Sequence, residues 1–298
     1  MIAARVLASF RRLALRFAVL FAGLALLPAC EPGVLSPAGP VAAGERTILL
    51  NSLGIMLAIV IPTILLTLVF AWWFRAGNAR AIYRPEFTYS GRVELLVWSI
   101  PALVVIFLAG IAWIGSHELH PPKPLVSKVR PLQVEVVSLD WKWLFIYPEQ
   151  GVASVNRLVI PAGTPVSFRI TSASVMNSFF VPRLGSQMYA MSGMTTRLNL
   201  MADQPGRYRG LSAHYSGKGF PGMAFFADAV TAQQFAGWAA GAKANGPVLD
   251  GRGYLALLEE SENVKPFTYR AVGPGLFDEI VRQSGTLSAR TASSGRER

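Results

Sequence analysis

Hydrophobic positions fall into two regimes along the chain. From Thr47 to Phe74 there is no charged residue over 28 positions, and a second apolar run extends from Leu95 to Gly115. The first run is long enough to cross about 30 Å of hydrocarbon with some tilt. Pro62 and Pro101 lie inside the runs, and Trp72, Trp73 and Trp113 stand at their ends, where aromatic rings favour a membrane–water boundary. A shorter apolar stretch, Phe17–Leu27, is too short for a comfortable span. Beyond Lys128 the pattern changes to a period of two. Pro131–Leu139 alternates apolar and polar residues as a half-buried strand does. Asn156–Ile170 gives two strands around Pro161-Ala162-Gly163, and further short strands are expected at Thr195–Met201, at Gly206–Gly210 and from Gly222. That spacing predicts a β-sandwich or a small Greek-key barrel. Ala232–Lys243 reads as a short helix within a region of scattered aromatics up to 283.

Composition sharpens this picture. Hydrophobic residues make up 52% of the 298 and charged ones only 15%, which is too apolar for a disordered chain. The net charge is +11, but the basic residues are dispersed and no nucleic-acid motif accompanies them, so no nucleic-acid partner is expected. Arg5, Arg11, Arg12 and Arg16 precede the stretch Phe17–Leu27, as in a secretory signal. It ends in Leu27-Pro28-Ala29-Cys30, which resembles a bacterial lipobox, although Pro28 is unusual there. The resemblance implies cleavage after residue 29 and a lipid on Cys30. The loop between the runs holds Arg75, Arg80, Arg84 and Arg92 against Glu86 and Glu94, which predicts that it is cytoplasmic. Both flanking ends would then be periplasmic.

Chemistry-bearing residues are few. Cys30 is the single cysteine, which excludes an intrachain disulfide and any multi-cysteine metal site, and the histidines are His117, His120 and His214. His117 and His120 have HxxH spacing without a third ligand nearby, and a metal role is not expected of them. Met176, Met188, Met191, Met194 and Met223 are expected to fill the core rather than bind metal.

Three blocks carry a family resemblance: Asp140-Trp-Lys-Trp-Leu-Phe-Ile-Tyr-Pro-Glu-Gln-Gly, Ser174-Val-Met-Asn-Ser-Phe-Phe-Val-Pro-Arg-Leu-Gly-Ser-Gln and Tyr215-Ser-Gly-Lys-Gly-Phe-Pro-Gly-Met. With the hairpin before them they resemble subunit II of the haem-copper oxidases, on the cytochrome bo-type ubiquinol oxidase branch. The resemblance implies an α+β membrane protein, with a two-helix transmembrane hairpin followed by a periplasmic cupredoxin-like β-sandwich. Its implied divisions are a signal peptide over 1–29, a lipidated linker over 30–46 and the hairpin over 47–116, with spans at about 48–74 and 94–115. The cupredoxin-like domain follows over 117–230, an aromatic-containing extension over 231–283 and a disordered tail over 284–298.

In the cytochrome c oxidase branch this domain holds a dinuclear copper centre, bound by a His in a His-Ser-Phe block and by a Cys-x3-Cys-x3-His-x2-Met block. The matching positions here are Asn177, Ser212, Ser216, Phe220 and Met223, so only the methionine survives. The resemblance then implies a subunit without a cofactor of its own. The haems and copper would lie in subunit I, subunits III and IV would be further partners with membrane lipid, and ubiquinol would be the substrate of the complex. Trp141 and Trp143 match an aromatic pair expected at a partner interface. Glu94 resembles a carboxylate at the mouth of a proton path. Two alternatives stand beside this reading: a copper-bearing subunit II of a cytochrome c oxidase, disfavoured by the cysteine and histidine counts, and a membrane-tethered β-sandwich serving binding or assembly.

Overall fold

The computed structural model describes residues 33–82 and 84–284. The expected signal segment, Cys30 and all of the expected tail except Ser284 lie outside the described residues. Two long helices come first, α1 (Pro40–Trp73) and α2 (Gly91–Glu118). Both are long and apolar enough to cross a membrane, with mean hydropathies of 2.7 and 2.5. Pro62 and Pro101 sit inside them, as read from the sequence.

The strands follow in chain order: β1 (Leu132–Leu139), β2 (Lys142–Tyr147), β3 (Val152–Val155), β4 (Arg157–Pro161), β5 (Val166–Ser172), β6 (Asn177–Val181), β7 (Gly185–Ala190), β8 (Thr196–Leu200), β9 (Gly206–Ser212) and β10 (Ala224–Val230). They form two packed sheets. One runs β3-β2-β1-β5-β8 and the other β4-β10-β9-β6-β7. The pairs β1–β5 and β4–β10 are parallel and the other neighbours antiparallel. The turn at Pro161-Ala162-Gly163 therefore does not join a hairpin. It carries the chain between sheets, with Ala162 N–H donating to Val230 and Gly163 N–H to Ala202. Gly163 has φ +71, where a side chain would be strained.

Between the sheets lie Trp143, Phe145, Phe168, Phe179 and Phe225, all essentially inaccessible. Phe179 and Phe225 stack at 5.2 Å, and Trp143 meets Phe179 edge-on at 5.5 Å. Gly210 permits this arrangement, because a Cβ there would lie 2.1 Å from the Phe225 ring.

The helix α3 (Ala232–Ala244) begins at a capping box of Thr231 and Gln234, which satisfies free N–H groups of its first turn. Strand β11 (Val248–Leu249), helix α4 (Gly251–Leu258), β12 (Phe267–Tyr269) and β13 (Ala271–Val272) complete the extension, followed by helix at 276–284. Strand β12 adds to the edge of the first sheet beside β3, and β11 pairs with β13. A second core forms on that sheet's outer face from Val137, Leu139, Leu144, Ile146, Tyr254, Phe277 and Ile280. This explains why β1 alternates only in its first half. From Val136 onward both faces are covered.

Two expectations are corrected. The segment before the first span is not an exposed linker throughout. Helix α1 starts at Pro40, and residues 36–45 strap it to the sandwich. Ala38 N–H donates to Arg183, Arg183 Nε to the Ser36 carbonyl, and Ser186 Oγ to Glu45 at 2.5 Å. Val41 lies so close to Gly185 that a Cβ there would come within 2.6 Å of it. At the other end, Ser284 belongs to the fold rather than to a disordered tail. It is buried, and its Oγ accepts from Gly193 N–H at 3.2 Å.

Candidate functional site at the loop end of the sandwich

Five sequence-marked positions come from two strand ends and one loop. Asn177 opens β6, Ser212 closes β9, and Ser216, Phe220 and Met223 lie on the following loop, whose 310 turn spans Phe220–Gly222. Pairing of β6 with β9 brings the first two together, and the Ser212 hydroxyl donates to Asn177 Oδ1. The loop then folds back on itself. Ser212 N–H donates to the Met223 carbonyl at 3.2 Å, and the Ser216 hydroxyl lies 3.9 Å from Met223 Sδ. Asn177, Ser212 and Met223 are buried. Phe220 packs its ring edge-on against Tyr215 at 5.6 Å.

The donor set is two hydroxyls, one amide, one thioether and a phenyl ring. Soft thiolates and imidazoles are what hold copper of this type, and neither is present at these positions. The residues do not fit a dinuclear copper centre. The Ser212 hydroxyl and the Asn177 amide oxygen satisfy each other instead, as buried polar groups must, and the Ser216 hydroxyl turns to the Met223 sulfur. His214 is no substitute, since its ring lies edge-on to Tyr189 at 6.2 Å. His117 Nδ1 is engaged by the Trp113 carbonyl at 2.8 Å. Among the described residues no group of three His, Cys, Asp or Glu converges. Of the five methionines singled out, Met223 is buried in the core, whereas Met176 and Met194 are exposed rather than core-filling.

The two tryptophans part company. Trp143, expected at a partner interface, is fully buried between Phe179 and Phe225 and presents nothing to a partner. Pairing of Ser138 with Trp143 puts its ring on the inner face of the sheet. Trp141 stays near the surface, in the two-residue turn between β1 and β2. Its φ of +80 is unusual for a bulky residue and costs about 1 kcal/mol. Two contacts hold it there. Its indole Nε1–H donates to the Ser216 carbonyl at 3.0 Å, and its ring covers Gly219 so closely that a Cβ there would lie 2.3 Å away. Trp141 is thus the floor of the loop that carries Ser216 and Phe220.

Residues not singled out from the sequence complete the frame. Lys142 is buried, and its Nζ donates to the Glu259 carbonyl at 2.7 Å and to Ser261 Oγ at 2.5 Å. Burial pushes this ammonium below the usual lysine range, although Asp140 and Glu259 pull the other way. Asn156 Oδ1 accepts from Trp143 N–H at 2.8 Å, while its Nδ2 donates to the Val264 carbonyl at 2.9 Å. Ser174 Oγ donates to Asp140 Oδ1 at 2.6 Å. Segment 259–264 of the extension is thereby clasped against the site. The only sequence signal was the charged pair Asp140 and Lys142 set among aromatics.

Residues 133–230 match the family model described as "Cytochrome C oxidase subunit II, periplasmic domain", and 243–283 match "COX Aromatic Rich Motif". Ubiquinol oxidase subunit 2 of Acetobacter aceti is 49% identical over 91% of this chain and 89% of its own length. The chain belongs to the ubiquinol oxidase subunit 2 family. Within that family, cytochrome bo(3) ubiquinol oxidase subunit 2 of Pseudomonas putida is 48% identical over 88% of this chain and 83% of its own. Among solved structures, the periplasmic domain of subunit II of cytochrome oxidase of Bradyrhizobium japonicum aligns at 24% identity with a TM-score of 0.38. It covers 40% of this chain and 98% of that one. The aromatic-rich match falls on the segment that Lys142 and Asn156 clasp.

Proposed function

We propose that this chain is a copper-free, non-catalytic subunit II of a proton-pumping ubiquinol oxidase. Ubiquinol is oxidised and O2 reduced to water on subunit I, which holds the haems and copper. The observation that carries this reading is the mutual satisfaction of Asn177 and Ser212 where thiolate and imidazole ligands would be required. Without a redox group the sandwich cannot relay electrons from cytochrome c, so electrons enter elsewhere. Its role is docking and structural, together with subunits I, III and IV. Trp141 and the exposed Tyr215 of the loop it supports offer the partner surface.

Positive charge in the loop between the helices supports a cytoplasmic-membrane hairpin whose N-terminal end and sandwich are periplasmic. Cys30 is the lipid attachment point after removal of 1–29. An unmodified thiol on an uncleaved N-terminus, seen by mass spectrometry, overturns that. Glu94, exposed in the first turn of α2, places a carboxylate at the membrane edge and marks a proton-path entry. Glu94→Ala is expected to slow turnover in a fully assembled complex, and unchanged turnover there removes the role.

The central experiment is oxygen uptake by the complex purified through a C-terminal tag. Uptake with ubiquinol but not with reduced cytochrome c, and no copper retained by this subunit, is expected. Uptake with cytochrome c overturns the reading.

A further inference from the structure

The loop between α1 and α2 is more elaborate than a charged connection needs to be. Asn78 organises it: its Nδ2 donates to the Trp73 carbonyl at 2.6 Å, its N–H to Arg75 at 2.9 Å, and its carbonyl accepts from Ala81 at 3.2 Å. Arg75 Nη1 donates to the Trp72 carbonyl at 2.7 Å, with its guanidinium 5.1 Å from the centre of the Trp72 ring. Carbonyls left over at the end of α1 are thus satisfied by the loop itself. The folded-back turns border an open cavity of about 880 Å3 whose walls include Trp73, Phe74, Phe87, Arg75, Arg80 and Arg84. Among the described residues Arg80 and Arg84 have no ion-pair partner, and the loop's acids, Glu86 and Glu94, do not line the cavity. Ile82 and Phe87 are largely exposed, a poor arrangement in water and a good one at a bilayer edge.

We propose that this cavity holds the headgroup of an anionic phospholipid from the leaflet at which the loop emerges. Two free guanidinium forks match a phosphodiester, which each can bind through paired N–H groups. An orientation signal needs only a count of positive charges, not a shaped cavity. The aromatic and aliphatic walls give the glycerol and upper acyl chains somewhere to lie, which a free phosphate would not use. A zwitterionic lipid fits less well, because its ammonium meets two unpaired cations. The inference rests on the hairpin crossing a bilayer and is independent of the oxidase reading.

The test uses the complex in nanodiscs doped with a photoactivatable phosphatidylglycerol or with the matching phosphatidylcholine. The loop peptide 75–87 is expected to be labelled about tenfold more by the anionic probe. Unlabelled phosphatidylglycerol should compete and inorganic phosphate should not. Arg80→Gln with Arg84→Gln is expected to reduce labelling to the phosphatidylcholine level, with the double lysine variant intermediate. Should the glutamine variant fail to assemble, the preference of the wild-type complex decides alone. Equal labelling by both lipids, competition by inorganic phosphate, or a loop left unlabelled because a partner chain covers it would each overturn the proposal.

Discussion

In the hairpin, Trp98, Leu103 and Phe107 expose 74%, 66% and 59% of their surface, whereas in the sandwich Trp143, Phe145 and Phe179 expose none. Both regions are rich in the same residue types, so apolar content does not distinguish them. Burial within the chain does. The sandwich closes its own core from two sheets, and the hairpin leaves its apolar surface uncovered by the rest of the chain. A side chain lost from the first should leave a cavity. One lost from the second exchanges one apolar neighbour for another.

The largest expected effect is therefore in the aromatic cluster. Phe179→Ala should destabilise the full chain in detergent by about 3–5 kcal/mol in chemical unfolding, while Leu103→Ala should cost less than about 1 kcal/mol. Equal losses would break the contrast between the regions.

Next comes the clasp. Lys142→Met removes the two hydrogen bonds that its ammonium donates to segment 259–264 and should cost about 1–3 kcal/mol, read as faster proteolysis within that segment. Lys142 also has a pH signature. Burial lowers its folded pKa below the ordinary 10.5, so the unfolded chain binds the proton more tightly. The penalty is present at neutral pH and is relieved as pH rises through the folded value towards 10.5. The stability of wild type relative to Lys142→Met should therefore increase over that range. A difference independent of pH would show that the ammonium is not desolvated.

Trp141→Ala should cost about 1 kcal/mol and raise hydrogen exchange at 216–223, because the loop loses its floor and the indole bond to Ser216. The smallest effect is expected at Arg130, whose pairing with Glu149 at 3.0 Å is largely in solvent. Arg130→Ala should change stability by less than about 0.5 kcal/mol.

Much of the architecture was legible because it is written in local periodicity. Two uncharged runs and a series of alternating segments give the two long helices and six of the ten sandwich strands without knowledge of their neighbours. The donor set at the loop end was legible too, since residue identity at 177, 212, 216, 220 and 223 can be read without coordinates. The fate of Trp143 could not be read. Its neighbours in sequence gave no sign of which face of β2 turns inward, and register with β1 settles that. Nor could the strap over 36–45 be anticipated. Its proline- and glycine-rich composition looks like a linker, and hydrogen bonds to Arg183 and Ser186 together with the approach of Gly185 to Val41 bind it to the sandwich.

The sequence by itself determined which segments are too apolar for water, which alternate as strands, and that thiolate and imidazole side chains are missing from positions 177, 212, 216, 220 and 223. Those properties reside in single residues or in short windows. Tertiary structure alone decided that Asn177 and Ser212 satisfy each other and that Trp141 props up the loop in a left-handed backbone conformation. It also decided that Lys142 and Asn156 hold a segment more than 100 residues away. Each of these depends on buried polar groups finding partners across strands, and the partner is chosen by sheet register and layer packing rather than by neighbours in the chain.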